Sequence, residues 1–535
     1  MTFPQKGNIF RTLSNLYASN EIAFLASLLI SISVLYFIHF LLNGLGLAYN
    51  DARSHLDIGR RVVEGLKPGI SQLGSVWLPL PHFLMIATIW NDFMWHSGLA
   101  GALQSMISFV ATGIMIILFL KEIGVGKLGR IIGLCVFVAN MNILYLQSTA
   151  MTELLLIATM MATSYQLLVW FKYDGLFNLV QAAFWVMLST LVRYDGWFLC
   201  AYALVIIGLY TWRKKGLQQA EGTSVLFGTL AGFGIVLWFL WNLLIFKDPL
   251  YFMFGQYSAH SQQQQLEQAG VLATKSNWLL SLKVYVYALA YNSNTFVTIV
   301  GIIGASVLWV KKRKESHVIL ASLLLFAPLL FNILALYLGH SVLYIQGISG
   351  DTWFNVRYGV MMMPSIAIFI GYLVDAVKSL RFTIIGLLMF VIVFSFLSND
   401  AVTIDDATVG SSQKNVSEVS GWLQNNAQKS GFVLISAASH DAIIFSSGLP
   451  MSKYIHEGTG KYWTSATLHP EKWARWIVMR TNDVNDQTFK LVSQTTAYKK
   501  DMYTLVDHYP FADIYELKPE YVHKLIIDQI YPHQK

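Results

Sequence analysis

Apolar runs of roughly 20 residues recur between about residue 22 and residue 398, and a helix of that length crosses a hydrocarbon core about 30 Å thick. No other feature constrains the fold as strongly, because a segment inside a bilayer must satisfy its own backbone hydrogen bonds. The accompanying shortage of charge, 13% of residues against about 25% in ordinary soluble chains, is concentrated before residue 400. The chain therefore reads as a polytopic α-helical membrane protein. A soluble enzyme, a secreted disulfide scaffold and a disordered chain are excluded. Cys135 and Cys200 sit inside apolar runs and read as small membrane residues. No CxxC pair or His/Cys cluster points to a metal site.

The net charge of +7 is carried by scattered basic residues that follow topology, so no nucleic-acid partner is expected. The first run, 22–42, follows Lys6 and Arg11 and lacks a small-x-small cleavage site, so it reads as a retained anchor. Further spans are expected at 98–120, 129–147, 153–171, 176–192, 197–212, 224–246, 284–310, 317–338, 358–377 and 382–398. About eleven spans place the connections bearing Lys121 to Arg130, Lys172, Arg213 to Lys215, Lys311 to Lys314, and Lys378 with Arg381 all on the cytoplasmic side. The N-terminus is then cytoplasmic. Pro81 to Trp90 is too short to cross and reads as an interfacial or re-entrant helix.

Every cytoplasmic connection in this threading is short. The long loops 43–97, 247–283 and 338–357 and the tail from Asn399 are extracytoplasmic, so chemistry is expected on that face. Residues 1–398 form the expected transmembrane domain and 399–535 an extracytoplasmic α/β domain. In the tail, Val416 to Ala427 and Asp486 to Val492 read as helices. Phe432 to Ser436, Trp476 to Arg480, Tyr503 to Val506 and Ile514 to Leu517 read as strands. The pairs His440-Asp441 and His456-Glu457 read as satisfied surface or core groups. Asn415-Val416-Ser417 matches a glycosylation sequon. The glutamines at 262–265 read as a mobile segment of the second long loop.

The first loop is the richest in chemistry. Tyr49, Asn50, Asp51, Arg53, His55, Asp57, Arg60 and Arg61 precede Trp77, Pro79, Pro81 and His82. Asp51 and His55 are four apart, one face of a helix. Charged groups at membrane depth tend to be functional, which sets Asp51 apart from an ordinary solvated charge. The other connections on this face supply Glu153 at the start of a span, Arg193-Tyr194-Asp195 in a tight turn, and Arg357-Tyr358 ahead of the tenth span. Two or three acids, several arginines and many aromatics suit an anionic headgroup bearing a polar ring.

These features in this order resemble the GT-C superfamily of integral-membrane glycosyltransferases: Tyr49-Asn50-Asp51 after the first span, the proline-rich Trp77 to His82, Ala150-Met151-Thr152-Glu153, and Arg357-Tyr358 with Pro364. The likeness is to the protein O-mannosyltransferase and aminoarabinose-transferase branch, family 39-like, over about 400 residues. It implies transfer of a sugar from a polyprenyl-phosphate donor, with Asp51 as the first-loop catalytic acid and Glu153 as the second acidic residue. The chain departs from that pattern in two places. Ala52 follows Asp51 where the family has Asp-Glu, and no lysine stands beside Pro79.

A long prenyl tail, at about 0.8 kcal/mol per buried CH₂, favours a site bordered by lipid. A carboxylate can deprotonate the acceptor, and arginines can stabilise the leaving phosphate. The expected step is a single displacement with inversion. Asp51 is the base and Glu153 orients it or the acceptor. Arg357, Arg193, Arg60, Arg61, His55, Tyr358, Tyr49 and His82 are the substrate-binding candidates. A divalent cation shared by Asp51 and Glu153 stays open, and the acceptor is a lipid, a glycan or a protein. A transporter or lipid-linked-sugar flippase is the alternative, although the span interiors hold almost no charge. A binding scaffold without catalysis is the third reading.

Overall fold

A computed structural model describes residues 21–255, 258–268, 270–409 and 413–526. Lys6 and Arg11 lie outside the described residues. The chain divides into two compact units. One holds the residues up to Gly46 together with Ala102–Asp406, and the other Leu47–Gly101 together with the residues from Ala407 onward.

The first unit is helical. Among the described residues, seven helices are long and apolar enough to cross a membrane: Glu21–Leu42, Leu99–Glu122, Glu153–Tyr173, Asp195–Lys215, Leu217–Phe246, Val356–Ala376 and Arg381–Thr408. Two helix pairs, Trp278–Ser293 with Thr295–Lys311 and Ser316–Leu324 with Ala327–Leu338, are bent by 107° and 40° and would raise the number to nine. The remaining two expected spans are interrupted or short. Leu176–Val192 has 17 residues. The segment 129–147 breaks into Lys127–Val138 and Met141–Leu146 at Asn140, whose side chain caps the second piece through the Ile143 amide.

The sharp break at Asn294 (φ 70°) is held by a ring of amides. Asn140 and Asn142 both donate to the Asn292 carbonyl, at 2.7 and 3.0 Å, while the Asn292 side chain donates to the carbonyls of Ala288 and Val356. Non-helical backbone is tolerated at membrane depth only where protein supplies its hydrogen bonds. Packing elsewhere follows small residues. Gly129 and Gly133, four apart on one helix, meet Gly371 on Met363–Ala376, where an added Cβ would lie 2.7 Å from the Gly129 carbonyl oxygen. Such stripes let membrane helices approach closely.

The second unit is α/β. Its strands are β1 (Phe432–Ile435), β2 (Tyr454–Ile455), β3 (Ala474–Met479), β4 (Tyr503–His508) and β5 (Asp513–Leu517), in the order β2-β1-β3-β5-β4. The first three run parallel, and β5 pairs antiparallel with β3 and β4. Phe432, Leu434, Ile455, Ile477, Met479 and Val492 form its core. The first long loop belongs to this unit. Its helix Asn50–Val63 packs on the helix Ala437–Ser446. Gln72 donates to the Gly458 carbonyl, and the Met451 amide donates to Glu64. Pro81 lies in a six-residue helix, Leu80–Met85, too short to cross a membrane. The glutamine run lies in the helix Ala259–Gln268.

Candidate functional site

Two buried polar clusters stand out, one in each unit. In the first unit Glu153 opens its helix with 0% exposure. Its Oε1 accepts from Arg193 at 3.2 Å and from Arg357 Nε at 3.1 Å. Arg193 also reaches Asp195 at 3.4 Å and Thr152 at 3.3 Å. Asp406 lies 3.7 Å from the second nitrogen of Arg357. The Tyr358 ring lies beneath both guanidinium groups, 5.0 and 5.4 Å from their carbons.

Local backbone chemistry explains the convergence. Glu153 and Asp195 each occupy the first turn of a helix, where the unpaired amides favour a negative charge. Gly196 lets the turn from the preceding helix close, since a Cβ there would lie 2.2 Å from Ser189 backbone. Three carboxylates thus surround two guanidinium groups, so the cluster carries one more negative than positive group. The carboxylates of Glu153 and Asp195 share the guanidinium donors with any anion that binds there. A hydroxyl-rich group can meet the buried Glu153 Oε2 and Asp195 Oδ1, which have no hydrogen-bond partner among the described residues.

In the second unit the helix Asn50–Val63, strongly charged in sequence, is largely buried. Arg60 spends its donors inside the fold, on Glu64, on Asp92 at 2.6 Å, and on the carbonyls of Ile89 and Trp90. It also stacks on Trp95 at 4.6 Å. A substrate would have to break those contacts to use it. Arg61 pairs with Asp441 at 3.2 Å, and Asp57 accepts from Trp95 at 3.1 Å. His55 Nδ1 lies 2.8 Å from His82 Nε2, with Trp77 4.3 Å from the His55 ring. Burial, then the charges of His55 and Arg61, hold His82 well below the ordinary histidine range. His456, buried near Arg61, is lowered in the same way. Burial raises Glu457, whose carboxylate accepts from Ser436 and from the Ala437 amide.

Asp51 lies half-buried in the first turn of its helix, two residues after the buried Tyr49. The structure therefore gathers Glu153, Arg193, Arg357 and Tyr358 in one cluster, and His55, His82 and Arg61 in the other. The sequence reading assigned no role to Asp195, Asp406, Asp57 or Asp441. Asp195 was visible as the partner of Arg193 in its turn. Asp406 carries no local signal, and Asp441 stands out only through the adjacent His440, because the partners of both are far away in sequence. Among the described residues, no group of three or more His, Cys, Asp or Glu side chains is arranged to hold a metal ion.

The chain resembles several solved structures. ArnT from Cupriavidus metallidurans in the apo state superposes with a TM-score of 0.55 at 12% identity, covering 91% of this chain and 98% of that one. The same protein bound to undecaprenyl phosphate gives 0.53 at 10% identity, with the same coverage. This chain has the GT-C fold. The Archaeoglobus fulgidus oligosaccharyltransferase, in complex with Zn and sulfate, gives 0.50 at 11% identity over 90% of this chain and 71% of that one. No family model and no curated protein matches the sequence. The multi-pass membrane character read from the sequence agrees with this GT-C fold.

Proposed function

We propose that the chain is a membrane glycosyltransferase that moves a sugar from a polyprenyl-phosphate donor to an acceptor on the extracytoplasmic face. The observation that carries this reading is the fold shared over nine-tenths of the chain with ArnT, a protein crystallised with undecaprenyl phosphate. The buried acid–arginine cluster around Glu153 adds the polar chemistry such a reaction needs inside a membrane protein. The sidedness rests on the distribution of basic residues between the spans.

In the proposed step the Asp51 carboxylate takes the acceptor proton as the acceptor oxygen or nitrogen bonds to the anomeric carbon. The bond from that carbon to the phosphate oxygen breaks, and its electron pair leaves with the prenyl phosphate. One displacement inverts the anomeric centre. Asp51 takes this role by its position in the first loop. Glu153 fixes Arg193 and Arg357 and leaves one oxygen for a sugar hydroxyl. The sequence reading left a divalent ion open, and the step written here uses none.

The test is transfer from a synthetic polyprenyl-phosphate sugar in proteoliposomes, with mass spectrometry of the lipid that copurifies. A bound isoprenoid phosphate and transfer lost in D51N are expected. Gradient-driven accumulation of an intact lipid-linked sugar, without transfer, would replace this reading by transport.

A further inference from the structure

The pair formed by the buried Asp57 and the half-buried Asp441 plays no part in the proposed step, yet it lies where the first loop meets the α/β fold within the second unit. Asp57 is 0% exposed, and its Oδ1 accepts from Trp95. Asp441 Oδ2 accepts from Arg61. The remaining oxygens, Asp57 Oδ2 and Asp441 Oδ1, are buried and have no donor among the described residues, and the two carboxyl groups lie within hydrogen-bonding reach of each other. Two carboxylates in one dry site cannot both ionise cheaply, and one guanidinium neutralises only one of them.

We propose that Asp57 and Asp441 share one proton as a carboxylic acid–carboxylate pair, and that this pair clamps the helix carrying Asp51 to the Ala437–Ser446 helix. Asp57 is the donor and Asp441, held by Arg61, the acceptor. Both are positioning residues, and their bearing on Asp51 rests on the function proposed above.

The surroundings favour this assignment. The charged or titratable groups facing the pair are Arg61 on the same helix as Asp57, Tyr454 on β2, and Glu457 in the turn after β2. His82 and His456 face the same Arg61 and are held neutral. Burial, then the Asp441 charge, raises Asp57 well above the carboxylate range, with Arg61 opposing. Burial raises Asp441 to about 6, again against Arg61. Raised acids give stability that is complete below the unfolded carboxylate pKa and is lost as pH climbs through about 6 and beyond.

Asp57→Asn is the informative variant. Its amide oxygen can keep the Trp95 bond, and its NH₂ can donate to Asp441 without a titrating proton. The experiment is hydrogen exchange of amides 50–63 in the full chain at pH 5 and pH 8, corrected for intrinsic rates, beside thermal unfolding. The ratio of wild-type to D57N protection is expected to fall by about tenfold for each pKa unit crossed, because the His82 and His456 titrations act on both proteins alike. D57L, lacking any donor, is expected to lose protection at both pH values. A D57N profile that tracks the wild type, or a D57L helix as protected as the wild type at pH 5, overturns the clamp. If the exchange results hold while D51N still transfers sugar, the clamp stands and the role of Asp51 falls. If D51N is inactive while D57N tracks the wild type, the reverse follows.

Discussion

Arg357 Nε meets Glu153 Oε1 at 3.1 Å across 204 residues of sequence. Arg193 reaches the same oxygen from a third segment. One carboxylate oxygen thus ties together three helix ends that are distant along the chain, with 0% of the residue exposed. Removing its charge leaves Arg193 with Asp195 and Arg357 with Asp406, so no guanidinium is left without a carboxylate. E153Q is expected to lose about 1.5–3 kcal/mol, the worth of hydrogen bonds to a charged group. The double variant E153Q/R357M should lose less than the sum of the two single changes, because each single change already removes the bond the two residues share. Thermal unfolding in detergent or nanodiscs checks both. A fully additive double variant would show that the two groups do not depend on each other.

Asp51 presents the opposite case. It is half-buried in the first turn of its helix, where a carboxylate gains about 0.3–1 kcal/mol from the helix dipole. D51N is therefore expected to shift unfolding only slightly while lowering transfer by about 10²–10⁴-fold, the usual contribution of a general base. Rates and unfolding temperature should be measured on one preparation. Transfer at the wild-type rate removes Asp51 from the mechanism, whatever the stability result.

These two residues also mark how far the sequence could be read. Apolar run length located the helices, because burial in lipid leaves a signal in consecutive residues. Asn140 and Asn294 were the signs that two runs do not continue as single helices, and their side chains do the capping at the breaks. In the α/β fold, four strands and two helices followed from local patterning. The two-residue β2 was too short to leave any. The Glu153 cluster was half legible: Glu153, Arg193 and Arg357 each stand at a helix end, but Asp406 shows no pattern, and only folding brings it to Arg357. The helix Asn50–Val63 was least legible. Its charges look like those of a solvated surface, and their burial depends on partners supplied by residues 82–95 and 441.

The contact of Gly129 and Gly133 with Gly371 leaves no room for a side chain. G371L would place a branched side chain against the Gly129 carbonyl and force apart the helices Lys127–Val138 and Met363–Ala376. Overpacking of this kind costs about 1–3 kcal/mol. G386L, on Arg381–Ser398 where nothing lies within 4 Å of an added Cβ, serves as the matched control and should unfold as the wild type does. Equal unfolding temperatures for G371L and G386L would show that the close approach is not needed.

His82 gives a pH dependence of the opposite sign to the Asp57–Asp441 pair. Its folded pKa is held well below the histidine range by burial, then by His55 and Arg61. A depressed histidine gives stability that is present above the unfolded pKa of about 6.5 and is lost as pH falls below it, because the unfolded chain takes up the proton first. The second unit is therefore expected to weaken on the acid side through His82 and His456, and on the alkaline side through the acid pair, with greatest stability between. H82Q keeps a polar group facing His55 but removes the titration. The fall in its unfolding temperature from pH 6.5 to pH 5 should be shallower than that of the wild type, with His456 supplying the remainder. A scan of unfolding temperature against pH for wild type, H82Q and H82Q/H456Q measures the two contributions. An unchanged acid limb in the double variant would show that neither imidazole is kept neutral by the fold.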